Sequence, residues 1–405
     1  MAVLDRRELL RCIGVVAIVS SDGLTPLRPA RADETAHLPF GNGERPLVAY
    51  PGKRPLLQTT ARPPQLETPF AVFDEGAITP NDAFFVRYHL ADIPLEIDPE
   101  AFRLSVGGHV ERPVALSLAE LKALPGRTEI VAVNQCSGNS RGFFEPRMAG
   151  GQLANGAMGC ARWTGVPLKS VLDRVGVKAG AVQVAFNGLD RPVLPETPDF
   201  AKALTLDQAG DGQVLLAWGM NGADLPWLNG YPLRLVVPGY YGTYWVKHLD
   251  TVTVLDKPFE GFFMKTAYRI PDNPCACTEP GQAAAATVPI GRLNVRSFLT
   301  NLTDGAQVKA GPVALRGIAF DGGSGIGEVA VSTDDGATWT QAALGQDLGP
   351  YAFRTWSLAT TLTPGAHAIR VRATANDGST QPTMSRWNPS GYMRNGVETT
   401  RVRAA

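Results

Sequence analysis

Cys136 is the residue best suited to chemistry in this sequence. It lies in a polar, glycine-containing segment, NQCSGNSR at 134–141, directly after the apolar, strand-like run 129–133. Arg141 would favour the deprotonated thiol, and a thiolate is a soft metal ligand. Because no C-x-x-C partner accompanies it, Cys136 could supply the single protein bond to a metal whose other ligands come from a cofactor. A buried or merely reactive thiol is an equally weighted alternative on this segment alone.

Three further stretches carry side chains that suit anion recognition, and they are expected to gather around Cys136. The stretch FFVRYHL at 84–90 places Arg87 and His89 on one face of a strand-like segment. An apolar run ends in the carboxylate of Asp190. The segment PGYYGTYWVKH at 238–248 is glycine-punctuated, aromatic and basic, and such a loop lets backbone N–H groups approach an anion closely.

The composition limits what the chain can bind. Its 405 residues include 38 basic and 38 acidic side chains, so no global field favours nucleic acid or a membrane surface. Hydrophobic residues make up 44%, and 43 glycines and 32 prolines indicate many turns rather than a helical bundle. The length predicts two or three domains. Local positive charge must therefore bind any anionic ligand.

Residues 1–32 have the pattern of an export signal. Arg6 and Arg7 precede a short apolar stretch at 12–19, and ARA at 30–32 has the form of a cleavage site. The paired arginines favour the twin-arginine route to the periplasm, with a Sec signal or a disordered tail as alternatives. The apolar stretch is far short of the roughly 20 residues that span a bilayer, so no membrane span is expected.

The other cysteines are not predicted to build a metal site. Cys160 is expected to be structural. Cys275 and Cys277 are separated by one residue, which we expect to be too tight for an easy mutual disulfide. No nearby histidine or second cysteine pair completes a metal site with them.

The pattern of apolar residues predicts an α+β domain followed by an all-β sandwich. Residues 33–69 are rich in proline and polar residues, which predicts an extended N-terminal arm. Within 70–280, helical spacing occurs at 116–124 and 168–175, between strand-like runs. After a Pro/Gly/Ala-rich boundary, residues 285–405 contain about seven short alternating runs separated by turns, which is typical of an immunoglobulin-like sandwich.

Taken in order, these motifs resemble those of the sulfite oxidase family of molybdenum enzymes, and look most similar to bacterial periplasmic sulfite dehydrogenases. The resemblance runs from about residue 70 to the C-terminus. It rests on five separated motifs: FVRYH at 85–89, NQCSGNSR at 134–141, RWTGVPL at 162–168, MNG through PG between 220 and 239, and QP with WNPSGY between 381 and 392. It implies a molybdopterin-binding catalytic domain followed by an immunoglobulin-like dimerisation domain.

The resemblance also implies roles for single residues. Cys136 would be the protein thiolate on molybdenum, beside the dithiolene sulfurs of a molybdopterin. Arg87, Arg141 and Tyr268 match positions that line the family's sulfite pocket, where guanidinium groups can bind a small dianion. The remaining matches are to cofactor-contacting segments, and they are Phe85, Val86, Arg87, Tyr88, His89, Asp190, Asn229, Arg234, Trp245, Val246 and Lys247.

Some of these residues have plainer explanations when they are taken singly. Asp190 could cap a turn, Arg234 could form an ion pair at a strand end, and His89 could be a satisfied core histidine. Asn229 stands where many relatives carry a histidine, although an asparagine can still hydrogen-bond at that place.

The implied reaction is the molybdenum-dependent oxidation of sulfite to sulfate by oxygen-atom transfer. No C-x-x-C-H haem signature occurs in the sequence, so electrons would leave to a separate c-type cytochrome. The second domain implies a homodimer, although pairing with a cytochrome subunit is an alternative. Two other functions stay open: an exported molybdopterin reductase that acts on sulfoxides, and a non-enzymatic binding module built on the sandwich.

Overall fold

The N-terminal part of the chain forms a small antiparallel sheet. The computed structural model describes residues 35–38 and 43–405, so the export signal predicted at 1–32 lies outside the described residues. The strands of this sheet, in spatial order, are β1 Thr35–His37, β2 Glu44–Val48, β3 Leu56–Thr60, β4 Gln65–Glu67 and β5 Val86–Arg87. The prediction of an extended arm at 33–69 is therefore wrong for β1 to β4, which belong to this sheet. They bury a small apolar core made of Leu56, Leu66, Val86 and Tyr88.

The central domain contains short helices and many strands between residues 103 and 265. In chain order the strands are β6 Arg103–Gly108, β7 Val114–Ser117, β8 Thr128–Gln135, β9 Met158–Pro167, β10 Gln183–Gly188, β11 Lys202–Thr205, β12 Leu215–Met220, β13 Ala223–Asp224, β14 Arg234–Val236 and β15 Leu249–Leu255. The helices are α1 Leu118–Lys122, α2 Leu168–Val175, α3 Leu206–Ala209 and α4 Phe262–Lys265. Short 3₁₀ helices occur at Arg141–Phe143, Trp227–Asn229 and Gly242–Tyr244. A further 3₁₀ helix, Phe70–Asp74, precedes this range.

Two sheets organise these strands. The first has the order β11-β10-β15-β6-β7, in which β15 and β6 run parallel and the other neighbours antiparallel. The second has the order β13-β12-β9-β8, with β14 also pairing with β12. In the second sheet β8 and β9 pair from Thr128↔Gly165 to Gln135↔Met158, and this register brings Cys136 to the end of β8.

Both helices predicted from apolar spacing are present. Helix α1 begins after Ser117, whose hydroxyl accepts from Glu120 N at 3.2 Å while the Glu120 carboxylate accepts from Ser117 N at 2.8 Å. This reciprocal capping satisfies two backbone donors at the helix start. Helix α2 begins after Pro167, buries one apolar face and ends at Gly176, which has a φ of +70°.

The C-terminal domain is a two-sheet sandwich. A ribbon of β16 Arg269–Pro271 and β17 Thr287–Pro289 leads into it. Its strands are β18 Arg296–Leu299, β19 Ala306–Val308, β20 Gly311–Phe320, β21 Ile326–Ser332, β22 Thr340–Gln341, β23 Ala343–Leu344, β24 Arg354–Leu362, β25 Gly365–Ala375 and β26 Glu398–Ala404. The sheet orders are β18-β20-β24-β23 and β19-β26-β25-β21-β22, and strands from both contribute to one apolar core. Because β17 still pairs with β16, the sandwich strands begin at residue 296, later than the boundary predicted at 285.

Cys275 and Cys277 form a disulfide, so the prediction that their spacing disfavours a mutual bond is wrong. Their Cα atoms are 5.1 Å apart, within the range that disulfides span. Ala276 has a φ of +48°, and Asn273 Oδ1 accepts from Cys277 N at 3.2 Å, so a tight turn brings the two sulfurs together. Cys160 is fully buried and its thiol is free, as expected of a structural cysteine.

The sandwich packs directly on the central domain. The buried Arg296 pairs with Glu398 at 2.9 Å and donates to Ser140 Oγ at 2.7 Å, next to the Cys136 loop. Met393 N donates to Ser137 O at 3.1 Å. The segment 387–393 therefore lies against the loop that carries Cys136. Across residues 35–38 and 43–405, no helix has the length and apolar character that crossing a bilayer requires.

Candidate functional site

Cys136 is held in place by its backbone. Its N–H donates to Ala157 O at 2.9 Å, and its carbonyl accepts from Asn139 N at 3.0 Å. Asn139 in turn accepts from Ala157 N through Oδ1 at 3.0 Å. The side chain is 8% exposed and carries a free thiol. These bonds fix the sulfur at the end of β8 without using it, which leaves it available as a ligand.

The N-terminal sheet braces the loop behind Cys136. The carboxylate of Glu67, at the end of β4, accepts from Ala154 N and Gly156 N at 3.0 Å each. A Cβ at Gly156 would lie 2.2 Å from Thr68 O, so only glycine allows this approach. Burial raises the pKa of Glu67 to about 7, against the opposing effect of its backbone N–H donors. The segment expected to be a surface arm thus supports the thiol loop.

Ten of the fourteen site residues predicted from the sequence line one cleft. Those ten are Phe85, Arg87, His89, Cys136, Asp190, Asn229, Arg234, Trp245, Lys247 and Tyr268. They come from β5, β8, β14 and the connections around them, so distant parts of the chain meet at the thiol. The cleft confirms that these ten residues lie together.

Val86, Tyr88 and Val246 do not line the cleft, because side chains alternate along an extended backbone. Val86 and Tyr88 point into the small core of the N-terminal sheet, and Val246 is buried in the main core. Tyr88 still supports the cleft from behind, since its hydroxyl bonds His248 Nε2 at 2.6 Å and its ring lies 3.7 Å from Lys247 Nζ.

Arg141 also lies outside the cleft lining. Its Nε donates to Ser390 O at 3.0 Å, and its guanidinium lies 5.1 Å from the centre of the Tyr392 ring. Tyr392 is stacked on Tyr268 with ring centres 5.2 Å apart. Arg141 therefore anchors the C-terminal segment that closes one side of the site.

The cleft also contains residues that sequence reasoning missed, namely Phe84, Asn134, Ser137, Phe200, Leu228, Gly242 and Thr243. Asn134 and Ser137 belong to the same octapeptide as Cys136 and could have been found by proximity. Gly242 lies in the glycine-rich loop, and a Cβ there would be 2.3 Å from Asn134 Oδ1. Phe200 carries no signal in the sequence, since tertiary contacts alone stack it on His89 with ring centres 3.8 Å apart.

One end of the cleft is strongly basic. Arg234 is 2% exposed, and it donates to Asn229 O at 2.9 Å and to Trp245 O at 3.3 Å. Burial lowers the pKa of Arg234 to about 9. Lys247 lies close by, where desolvation lowers its pKa and the carboxylate of Asp190 raises it. Two cations and one carboxylate leave this end with excess positive charge.

Lys53 fixes the orientation of Asn229. Its ammonium donates to Asn229 Oδ1 at 2.5 Å, to Asn81 O at 2.6 Å and to Phe84 O at 2.9 Å. Because an ammonium can only donate, the Asn229 oxygen must face Lys53 and its Nδ2 must face the other way, where it donates to Phe85 O at 3.0 Å. Asn229 thus lines the cleft in a fixed orientation, with its Nδ2 bonded to the backbone of Phe85.

Next to this basic group, whose Lys247 Nζ donates to Arg87 O, the cleft lining pairs a histidine with a tyrosine. His89 Nε2 and the Tyr268 hydroxyl form a hydrogen bond, and the stacked Phe200 covers the histidine. Burial, followed by the charges of Arg87, Lys247 and Lys202, holds the pKa of His89 well below its usual range. Burial raises the pKa of Tyr268. Both groups are therefore neutral near pH 7, beside the cationic Arg87.

Four buried polar atoms in the cleft have no hydrogen-bond partner, and they are Asn134 Oδ1, Ser137 Oγ, Arg234 Nε and Thr243 Oγ1. Buried polar groups are almost always paired in folded proteins, so four unpaired atoms around one thiol indicate a polar ligand. Within the described residues, no group of three His, Cys, Asp or Glu side chains could hold a metal ion. A metal at Cys136 would therefore need further ligands from a cofactor.

Comparisons with known proteins agree with this site. Residues 89–263 match the model of the oxidoreductase molybdopterin binding domain, and residues 287–403 match that of the Mo-co oxidoreductase dimerisation domain. The chain is 34% identical to mitochondrial sulfite oxidase of Homo sapiens over 367 residues, covering 86% of this chain and 66% of that protein. It is 32% identical to sulfite oxidase of Gallus gallus, covering 87% of this chain and 79% of the relative.

A solved structure has the same fold. The sulfane dehydrogenase SoxCD from Paracoccus pantotrophus superposes with a TM-score of 0.73 at 25% identity, covering 91% of this chain and 88% of that one. This chain spans about two thirds of the human relative's length. The matches to the two domain models and to the relatives imply a molybdenum-molybdopterin cofactor, and the cleft around Cys136 has the donors to receive it.

Proposed function

Because this chain belongs to the sulfite oxidase family of molybdopterin enzymes, we propose that it oxidises sulfite to sulfate and passes the electrons to a c-type cytochrome. The observation that carries this proposal is a single free thiol in one cleft with Arg87, Tyr268 and four unpaired buried polar atoms. When bound, the molybdenum cofactor supplies oxygen-atom transfer and the two-electron redox change.

The chain's own residues would hold the cofactor at two places. Cys136 would provide the protein thiolate to the metal, since its backbone is fixed and its sulfur is free. Arg234 and Lys247 would bind the anionic end of molybdopterin, because they are basic donors in the cleft lining, and Asn229 would lie beside them. The unpaired Arg234 Nε is the clearest donor left for that purpose.

The part of the cleft around Arg87, His89 and Tyr268 would bind the substrate. Arg87 faces the cleft with a guanidinium that can bind two oxygens of a small dianion. Tyr268 can donate a hydrogen bond while it stays uncharged, and His89 holds its hydroxyl in place. Arg141 would not touch the substrate itself. It would anchor the segment that carries Tyr392.

The partners and the location are part of the same proposal. The match at 287–403 to a dimerisation domain supports a homodimer. We propose export to the periplasm through the paired arginines of residues 1–32, where a c-type cytochrome would accept electrons. A cytochrome subunit in place of the second copy is the alternative assembly.

The first test measures molybdenum and sulfite oxidation together. Protein purified from a host that makes the cofactor should contain about one molybdenum per chain and should reduce cytochrome c only when sulfite is added. Molybdenum without sulfite activity would reject the substrate. A sulfoxide would then be assayed next, together with a sulfane-sulfur compound, because the structural relative SoxCD is a sulfane dehydrogenase. Protein without molybdenum would reject the whole proposal.

A further inference from the structure

Lys202 is a buried cation that the proposed reaction does not use. It is the first residue of β11 and its side chain is 0% exposed. Its ammonium donates one hydrogen bond, to Phe263 O at 2.6 Å. Its other neighbours are aromatic faces, since Nζ lies 4.6 Å from the centre of the Tyr244 ring and 5.3 Å from that of Tyr268. Lys202 thus stands directly behind the tyrosine of the substrate end.

Among residues 35–38 and 43–405, no carboxylate forms a salt bridge with Lys202. Burial alone accounts for the lowering of its pKa to about 7. A buried charge with a single neutral acceptor destabilises a fold. Its presence therefore indicates a role other than stabilising the structure.

A second buried lysine in this chain provides the contrast. Lys53 is 7% exposed and has the same lowered pKa of about 7, but its three donors meet three oxygen acceptors. Lys53 ties together three segments and so contributes to the structure. Lys202 ties β11 to Phe263 O alone, and its remaining contacts are with rings.

We propose that Lys202 is a positioning residue for Tyr268, and that it holds the phenol ring where the hydroxyl meets His89 and faces the anion pocket. This inference rests on the proposed function. A cation against an aromatic face is attracted to it and withdraws electron density from the ring, which makes a phenol a better hydrogen-bond donor. Tyr392 stacks on the same ring, with the two ring centres 5.2 Å apart. Lys202 and Tyr392 therefore both contact the Tyr268 ring and restrict its position.

The backbone of Tyr268 makes such support necessary. Tyr268 has a φ of +58°, a left-handed conformation that non-glycine residues adopt at an energetic penalty. The ring is therefore held by its contacts rather than by its backbone preference. Those contacts include the hydrogen bond to His89, the stack with Tyr392, the ring of Phe263 and the ammonium of Lys202.

The test compares Lys202→Met with Lys53→Met in the cofactor-loaded protein. Methionine has a similar length and no charge. For Lys202→Met we expect an unchanged or higher melting temperature together with a roughly tenfold lower kcat/KM for sulfite. For Lys53→Met we expect a lower melting temperature, because three buried oxygens lose their donor. A lower melting temperature in Lys202→Met, or an unchanged kcat/KM, would overturn the inference.

A double-mutant cycle with Tyr268→Phe tests whether Lys202 acts through the phenol. If it does, Lys202→Met lowers kcat/KM in the wild-type background but has little further effect once the hydroxyl is absent. Equal effects in both backgrounds would show that the lysine acts independently and would reject the positioning role. Lys202→Arg keeps the charge and is expected to recover part of the lost activity.

Failure of the proposed function is separable from failure of this inference. Wild-type protein that does not oxidise sulfite would reject the substrate assignment. Lys202 would then be tested by protection against thermal unfolding with sulfate as the probe. Sulfate should raise the melting temperature of the wild type more than that of Lys202→Met. An equal rise in both proteins would overturn the role of Lys202.

Discussion

The cleft and the C-terminal sandwich bury different kinds of side chain. Around the cleft, the groups with displaced pKa values include the buried Lys53, Glu67, Asp190, Lys202, Arg234 and Tyr268 and the half-buried His89 and Lys247. In the described part of the sandwich half, the groups away from the surface with displaced pKa values are the buried Arg296 and the half-buried Tyr392, and both contact the cleft half.

This difference separates stability from chemistry. The sandwich core is made of aliphatic and aromatic residues from both sheets, and burial of that surface stabilises the domain. The cleft half retains buried charges, although charged groups have a lower free energy in water. A small anion and a charged cofactor need fixed donors in a site without water, which explains these charges. Substitutions in the two regions should therefore fail in different ways.

Among substitutions in the cleft, we expect Cys136→Ser to have the largest effect on turnover. Serine has a similar size but replaces the soft sulfur ligand, so turnover should fall by roughly three orders of magnitude or more. The backbone bonds that hold this position do not involve the side chain, so the melting temperature of the cofactor-free protein should not change. Steady-state sulfite kinetics and thermal melts measure the two quantities. Full activity in this variant would reject the metal assignment.

Leu315→Ala tests the other side of the comparison. Leu315 is fully buried in the sandwich core, and truncation should lower the free energy of unfolding by about 2–5 kcal/mol through lost burial and a cavity. Because Leu315 belongs to the sandwich core rather than the cleft, kcat/KM and molybdenum content should be close to those of the wild type at a temperature where the variant is folded. Urea unfolding measures the loss. Molybdenum loss from the folded variant would show that the two regions are not separable.

Because Glu67 is buried, we expect the free energy of unfolding to depend on pH through this residue of the cleft half. Its folded pKa is raised to about 7, so the protonated form is favoured on folding and its stabilisation is present below pH 4.5. That contribution is lost as the pH rises through 7, with a total of up to about 3 kcal/mol. Relative to Glu67→Gln, the wild type should therefore lose stability between pH 5 and pH 8. Urea unfolding at both pH values measures this, and parallel changes in the two proteins would contradict it.

Arg87→Gln should have a moderate effect that is confined to binding. The loss of a guanidinium at the substrate end should raise the KM for sulfite by roughly tenfold and change kcat less. Arg162→Gln is the matched control, because Arg162 is 44% exposed in its side chain, pairs with Glu129 at 3.4 Å and does not line the cleft. An unchanged KM in Arg87→Gln would remove this residue from the substrate pocket.

Lys169→Ala should have the smallest effect and so gives the baseline for exposed charges. Lys169 pairs with Asp173 one turn later in α2 at 2.6 Å, and both side chains are more than half exposed at 51% and 63%. Such pairs stabilise by less than about 0.5 kcal/mol. Urea unfolding should show a change within that limit. A larger loss would mean that surface charges also contribute substantially to this fold.

The sequence predicts the chemistry of the site better than its support. Cys136 and Arg87 belong to local motifs whose residue types suit their roles, Tyr268 is identified only through the family resemblance, and the cleft contains all three. Lys53 and Lys202 escape sequence reasoning because their partners are distant. Asn229 lies 176 residues from Lys53, and Phe263 lies 61 residues from Lys202. No local pattern encodes such contacts.

The errors have equally physical causes. Strands β1 to β4 have three to five residues each, too few to show an alternating pattern between prolines, so the sequence predicts an arm where a sheet forms. The disulfide between Cys275 and Cys277 depends on the left-handed backbone of Ala276, which the spacing alone does not reveal.

The contact between Met393 N and Ser137 O has a consequence for biosynthesis. The wall beside the thiol includes residues 387–393, and the strand that follows, β26, is an inner strand of its sheet, between β19 and β25. A growing chain on the ribosome cannot complete this wall until residues near 404 have emerged. The wall beside Cys136 is therefore complete only once the C-terminal strands of the sandwich have folded. A transport route that moves folded proteins would suit such an order of assembly.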